Sequence, residues 1–124
     1  MSYLPEKGAP HYPSAFGEKP ELGKATLRQL EKDFALQGML LTLPASPPPY
    51  AGLLALLAAF LRKHDLLHSP LLARILYQLD MDEAQMHQKI AHTPPDEMYH
   101  MTAHEMLMRC FAKVLFRQRY SSKP

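Results

Sequence analysis

A chain of 124 residues, 47% hydrophobic and 21% charged, has the make-up of one globular domain and lacks the length for a second core. A formal charge of +2 is too small to imply a polyanionic partner by itself. The single cysteine, Cys110, excludes an intramolecular disulfide and a cysteine-built zinc cluster, which fits a reducing cytoplasm.

The chain opens with Pro5, Pro10, Pro13 and Pro20 interleaved with Gly8, Gly17 and Gly23, residues that suit neither a helix interior nor a sheet interior. Residues 1–23 are therefore expected to form an extended arm, with Tyr3, Tyr12 and Phe16 as its apolar contacts, ahead of a single helical domain over residues 24–124. No basic stretch followed by an apolar run marks a secretory signal.

Thr26 with Gln29 has the chemistry of a helix start, followed by Leu27, Leu30 and Phe34 on one face and by Gly38 as a left-handed terminator. Residues 39–44, MLLTLP, favour an extended conformation, yet the sequence holds no second strand-like run. The backbone groups there must be met by water or by another chain, which makes Met39, Leu40, Leu41 and Leu43 candidate interaction residues. A second helix, entered at Ser46 and Pro47 or somewhat later, runs to near His64. It is apolar on every face and hence expected to be central. Its most apolar run, residues 50–61, is too short for a membrane span of roughly 20 residues.

Ser69 and Pro70 open a third helix whose buried stripe is Leu72, Ile75, Leu76 and Leu79. Asp82 caps a fourth, with Gln85 at the reciprocal capping position and Met81 and Met86 placed to staple the turn. The last helix begins either at Thr93, ahead of Pro94 and Pro95, or at Thr102 with Glu105. It carries Leu107, Cys110, Phe111 and Val114 to about Arg119. The fold expected is all-α, a compact bundle of five helices with an extended N-terminal arm.

Few residues suggest chemistry. His100 and His104 stand four apart, as zinc ligands on a helix do, but no third ligand shares their face. His64 and His68 repeat the spacing across a helix end, and the single Glu97-x-x-His100 lacks the second motif and extra carboxylates of a diiron bundle. No metal ligand and no cofactor is assigned. No glycine-bounded nucleophile turn or phosphate loop is present, and Cys110 lies mid-helix on an apolar face, so no catalytic residue is assigned either.

Residues 70–91 read as helix, short turn, helix, in the manner of a helix-turn-helix reader. Leu76 stands where that motif wants a small residue, Asp80 where it wants glycine, and Glu83 would repel phosphate. After Met106 come Arg109, Lys113, Arg117, Arg119 and Lys123 without an acidic residue, a placement the helix dipole favours and an acidic partner could use.

LEKDFALQG, ILYQLDMDE and FAKVLFRQRY together resemble a family of short bacterial helical proteins of unknown function, with an early Lys-Asp-Phe and glycine, a central Leu-Tyr-x-x-Asp-x-x-Glu and a final Lys-Val-x-x-Arg. The resemblance runs through most of the chain after residue 26. It implies a compact all-α fold and no known activity. The expectation is a non-catalytic, cytoplasmic protein-interaction domain that self-associates as a homodimer. The contacts proposed for it are Met39, Leu40, Leu41, Leu43, Arg109, Lys113, Arg117 and Arg119. A nucleic-acid-binding module on residues 70–91 is the alternative.

Overall fold

Leu22, Leu27, Leu30 and Phe34 recur at helical spacing and form the buried face of α1 (Pro20–Ala35). The computed structural model describes residues 20–121, with side chains to Gln118; the arm contacts expected of Tyr3, Tyr12 and Phe16 lie outside the described residues. The helix takes in Pro20 to Gly23 as its first turn. Thr26 is therefore not an N-cap but an interior residue, whose hydroxyl donates back to the Leu22 carbonyl at 2.8 Å.

The C-terminus of α1 follows the sequence expectation closely. Gly38 has φ +79°, its N–H reaches the Ala35 carbonyl at 2.9 Å, and the Met39 N–H reaches the Phe34 carbonyl at 3.0 Å. This is a Schellman terminator, sealed by Phe34 and Met39, both buried.

Four further α-helices follow: α2 (Tyr50–Lys63), α3 (Leu71–Gln78), α4 (Glu83–Ala91) and α5 (Met98–Ser121), with a short 3₁₀ turn at Leu66–His68 between α2 and α3. There is no strand among the described residues, and the all-α class is as expected. The long α5 packs chiefly against α1 and α2. It contributes Met106, Leu107, Cys110 and Phe111 to one core shared with Leu53, Leu57, Leu61, Ile75 and Leu76.

The last helix starts at neither Thr93 nor Thr102 but between them. The Glu97 N–H bonds to the Pro94 carbonyl in a turn, and α5 begins at Met98, so Thr102 and both His100 and His104 lie within it. Thr102 is fully buried, and its hydroxyl has no partner among the described residues.

The turn between α3 and α4 is a second Schellman terminator, with Met81 N–H on the Leu76 carbonyl at 2.8 Å and Asp80 N–H on the Tyr77 carbonyl at 3.0 Å. Asp80 sits there at φ +58°, a conformation that costs a residue with a Cβ about 1 kcal/mol or more relative to glycine. Asp80→Gly should raise stability by about 0.5–1 kcal/mol in urea unfolding. No gain would mean that the aspartate side chain supplies compensation at that turn. Asp82 caps α4 as expected, its carboxylate accepting from the Gln85 N–H at 3.1 Å.

Candidate functional site

The uniform apolarity of α2 does not make it central. Leu53, Leu54, Leu57, Ala58 and Leu61 face the core, whereas Ala51, Gly52, Ala55, Leu56 and Ala59 are all exposed. A helix with one solvated face normally carries polar or charged side chains there. This one presents an uncharged stripe until Arg62 and Lys63. Its signal in the sequence is that same uniformity, which is equally compatible with burial on every side. Only the packing separates the two.

The segment after α1 doubles back along that helix. Residues 39–43 alternate between buried (Met39, Leu41, Leu43) and exposed (Leu40, Thr42), the period-2 pattern of an extended chain. Its far end is held on α1: the Glu31 carboxylate accepts from the Leu43 N–H at 2.6 Å, and the Arg28 guanidinium donates to the Pro44 carbonyl at 2.7 Å and the Leu43 carbonyl at 3.3 Å. Three of the four apolar interaction candidates here, Met39, Leu41 and Leu43, thus pack into the chain's own core, and Leu40, 84% exposed, faces out. Between the two pinned ends, the backbone groups of Leu40, Leu41 and Thr42 have no hydrogen-bond partner among the described residues. An open groove of about 560 Å³ borders the segment, closed on its other side by the end of α2, the 3₁₀ turn and the start of α3.

The basic candidates divide in the same way. Lys113 donates to the Asp33 carboxylate at 3.4 Å and to the Gln78 carbonyl at 3.3 Å, and Arg109 donates to the Leu79 carbonyl at 3.2 Å. Both therefore satisfy carbonyls at the C-terminal end of α3, where the helix dipole favours cations. Arg117 is exposed, and the Arg119 side chain lies outside the described residues. In the helix-turn-helix segment, α4 exposes Glu83, Gln85, His87 and Gln88, while Lys89 is bonded to Glu105 at 2.7 Å.

The histidine pair of α5 does not converge on an ion. His104 is 3% exposed, its Nδ1 shares a hydrogen bond with the Tyr50 hydroxyl, and the two rings meet edge to face with centroids 5.8 Å apart. Burial lowers the His104 pKa, with Glu105 opposing and Lys89 assisting, and burial raises that of Tyr50, so a neutral pair joins α2 to α5. Among the described residues, no group of three or more His, Cys, Asp or Glu is placed to hold a metal ion. Cys110 is buried, donates to the Thr26 carbonyl at 3.5 Å, and has its thiol pushed up to about 12 by desolvation first and Asp33 second; such a thiol is inert.

The neutral pair has a pH consequence. Unfolded, His104 titrates near 6.5; folded, it titrates lower. The unfolded chain therefore takes up a proton first, so the stability from this site is complete above about pH 6.5 and is lost as pH falls through the folded pKa. Urea midpoints should fall between pH 7.5 and 5 by more in the wild type than in His104→Gln. Equal falls would remove His104 as a source.

A second polar cluster sits at the corner after α2. Asp65, at φ +46°, accepts on one carboxylate oxygen from His68 Nδ1 at 2.7 Å and from the Tyr99 hydroxyl at 2.9 Å. The Arg62 guanidinium lies 5.2 Å from the centre of the Tyr99 ring. The hydrogen bond from His68, then that from Tyr99, lowers the Asp65 pKa. The cluster ties the corner to the first turn of α5 and brings no nucleophile with it.

Comparison with known proteins finds no matching family model, no matching curated protein and no matching solved structure. Among the described residues, no helix is long and apolar enough to cross a membrane.

Proposed function

We propose that this protein is a non-catalytic interaction domain that self-associates through the exposed face of α2. The observation that supports this is the run of Ala51, Gly52, Ala55, Leu56 and Ala59, all outward-facing and none polar. Water solvates such a surface poorly, and a second helix covers it well. Small side chains let two helix backbones approach closely, and a Cβ built on Gly52 would meet nothing within 4 Å, so the face is open to a neighbour. A twofold arrangement sets the same face of two copies against each other, the commonest solution for a homodimer.

Leu56, 48% exposed, is the largest side chain on this face. Light scattering at micromolar concentration should give twice the chain mass for the wild type and the monomer mass for Leu56→Lys, with the helical circular dichroism of the two unchanged. A monomeric wild type, or a variant that stays dimeric, would remove α2 as the interface.

A further inference from the structure

The groove beside residues 38–42 is a second surface, separate from the α2 stripe, and it has the features of a peptide site. Leu40 and Thr42 border it and stand two residues apart, so their backbone N–H and C=O groups point to the same edge of an extended chain. None of these groups is bonded among the described residues, and residues 39–43 carry no charge to discourage pairing, with Pro44 ending the edge. The opposite wall presents Phe60 and Leu71, both partly exposed, beside His64 and Ser69, and Leu66 there is fully buried. The volume of about 560 Å³ falls in the range of about 300–1,000 Å³ usual for ligand sites. No aspartate or glutamate lines the groove, whereas Lys63 does, and its ammonium has no carboxylate partner among the described residues.

We propose that the groove binds an extended peptide that carries an apolar side chain and a carboxylate. The peptide backbone pairs with Leu40 and Thr42, the apolar side chain lies on Phe60 and Leu71, and the carboxylate meets Lys63. Strand addition supplies sequence-independent hydrogen bonds, and the wall and the cation supply selectivity. The acidic character of the partner follows from the unbalanced positive charge. This rests on reading the protein as an interaction domain, and it is independent of self-association.

The test titrates the ¹⁵N-labelled full chain with an acetylated hexapeptide of alternating leucine and glutamate, and separately with its leucine–lysine counterpart. The acidic peptide should move the amide signals of Leu40, Thr42, Lys63 and Leu71 and bind at least threefold more tightly than the basic one. The difference should shrink with salt, and Lys63→Glu should reverse the order. Signals that do not move, that move elsewhere, or that respond equally to both peptides would overturn the proposal. So would movement of the same amides on raising the protein concentration alone, which would put a second copy in the groove. A monomer that shows the peptide shifts keeps this site and loses the dimer; a dimer with a silent groove does the reverse.

Discussion

Leu79→Ala is expected to destabilise the protein by about 2–5 kcal/mol, the range for deleting a fully buried leucine side chain. Leu79 has no exposed surface and lies at the C-terminal cap of α3, where it joins Leu72, Ile75 and Leu76 in the shared core. Truncation removes apolar area and leaves a cavity beneath the α3–α4 turn. That turn is held in place by two terminator hydrogen bonds, so it has little freedom to collapse into the space. For a domain of this size the loss corresponds to a fall in melting temperature of roughly 10–20 °C. Thermal and urea unfolding of the full chain measure it. A loss below about 0.5 kcal/mol would mean that the α3–α4 corner does not pack as described.

The second large effect is expected from Lys113→Met. Asp33 is 1% exposed, and its carboxylate is met by Lys113 at 3.4 Å and by the Gln29 amide at 2.9 Å. Removing the ammonium strands a buried negative charge with only the neutral amide beside it, and it also frees the Gln78 carbonyl at the end of α3. Breaking a buried pair by deleting one partner costs about 3–5 kcal/mol. Here Lys113 keeps 22% of its side-chain surface in water, which reduces the expected loss to about 2–4 kcal/mol. The double variant Asp33→Asn with Lys113→Met should lose less than Lys113→Met alone, because no unpaired charge is then buried. If the double variant is the less stable of the two, the cost lies in lost packing of the lysine stem and not in charge.

The two effects sit on opposite sides of what is legible in the sequence. Leu79 belongs to a periodic stripe, and helical spacing by itself points such a residue inward. Lys113 is one of five basic residues near the end of a helix, and nothing in that spacing says that its partner is Asp33, eighty residues earlier, or that the pair is buried. Local periodicity reports which face of a helix is apolar. It does not report which distant helix will cover that face, or which charge will be brought beneath it.

Thr26 illustrates the limit of local chemistry. A threonine followed three residues later by glutamine satisfies the pattern of a helix start, but the helix continues back to Pro20 and the hydroxyl bonds within it. Proline is well tolerated in a first turn, where its missing N–H would have had no intrahelical partner. Gly38 and Asp82 fared differently, because each acts through bonds to residues no more than five positions away, and tertiary packing had no reason to displace them.

By itself, then, the sequence determined the all-α class, the central stripes of α1 and α3, the glycine terminator of α1 and the aspartate cap of α4, all of them properties of short windows with period 3.6 or of single backbone conformations. Only the tertiary structure decided that α2 keeps one apolar face in water, that Met39, Leu41 and Leu43 turn into the core while Leu40 turns out, and that His104 is held by Tyr50 in a buried pair. The physical reason is common to the three. Each depends on whether another element happens to lie against a given side, and α5, the longest helix, covers one side of α2 and not the other.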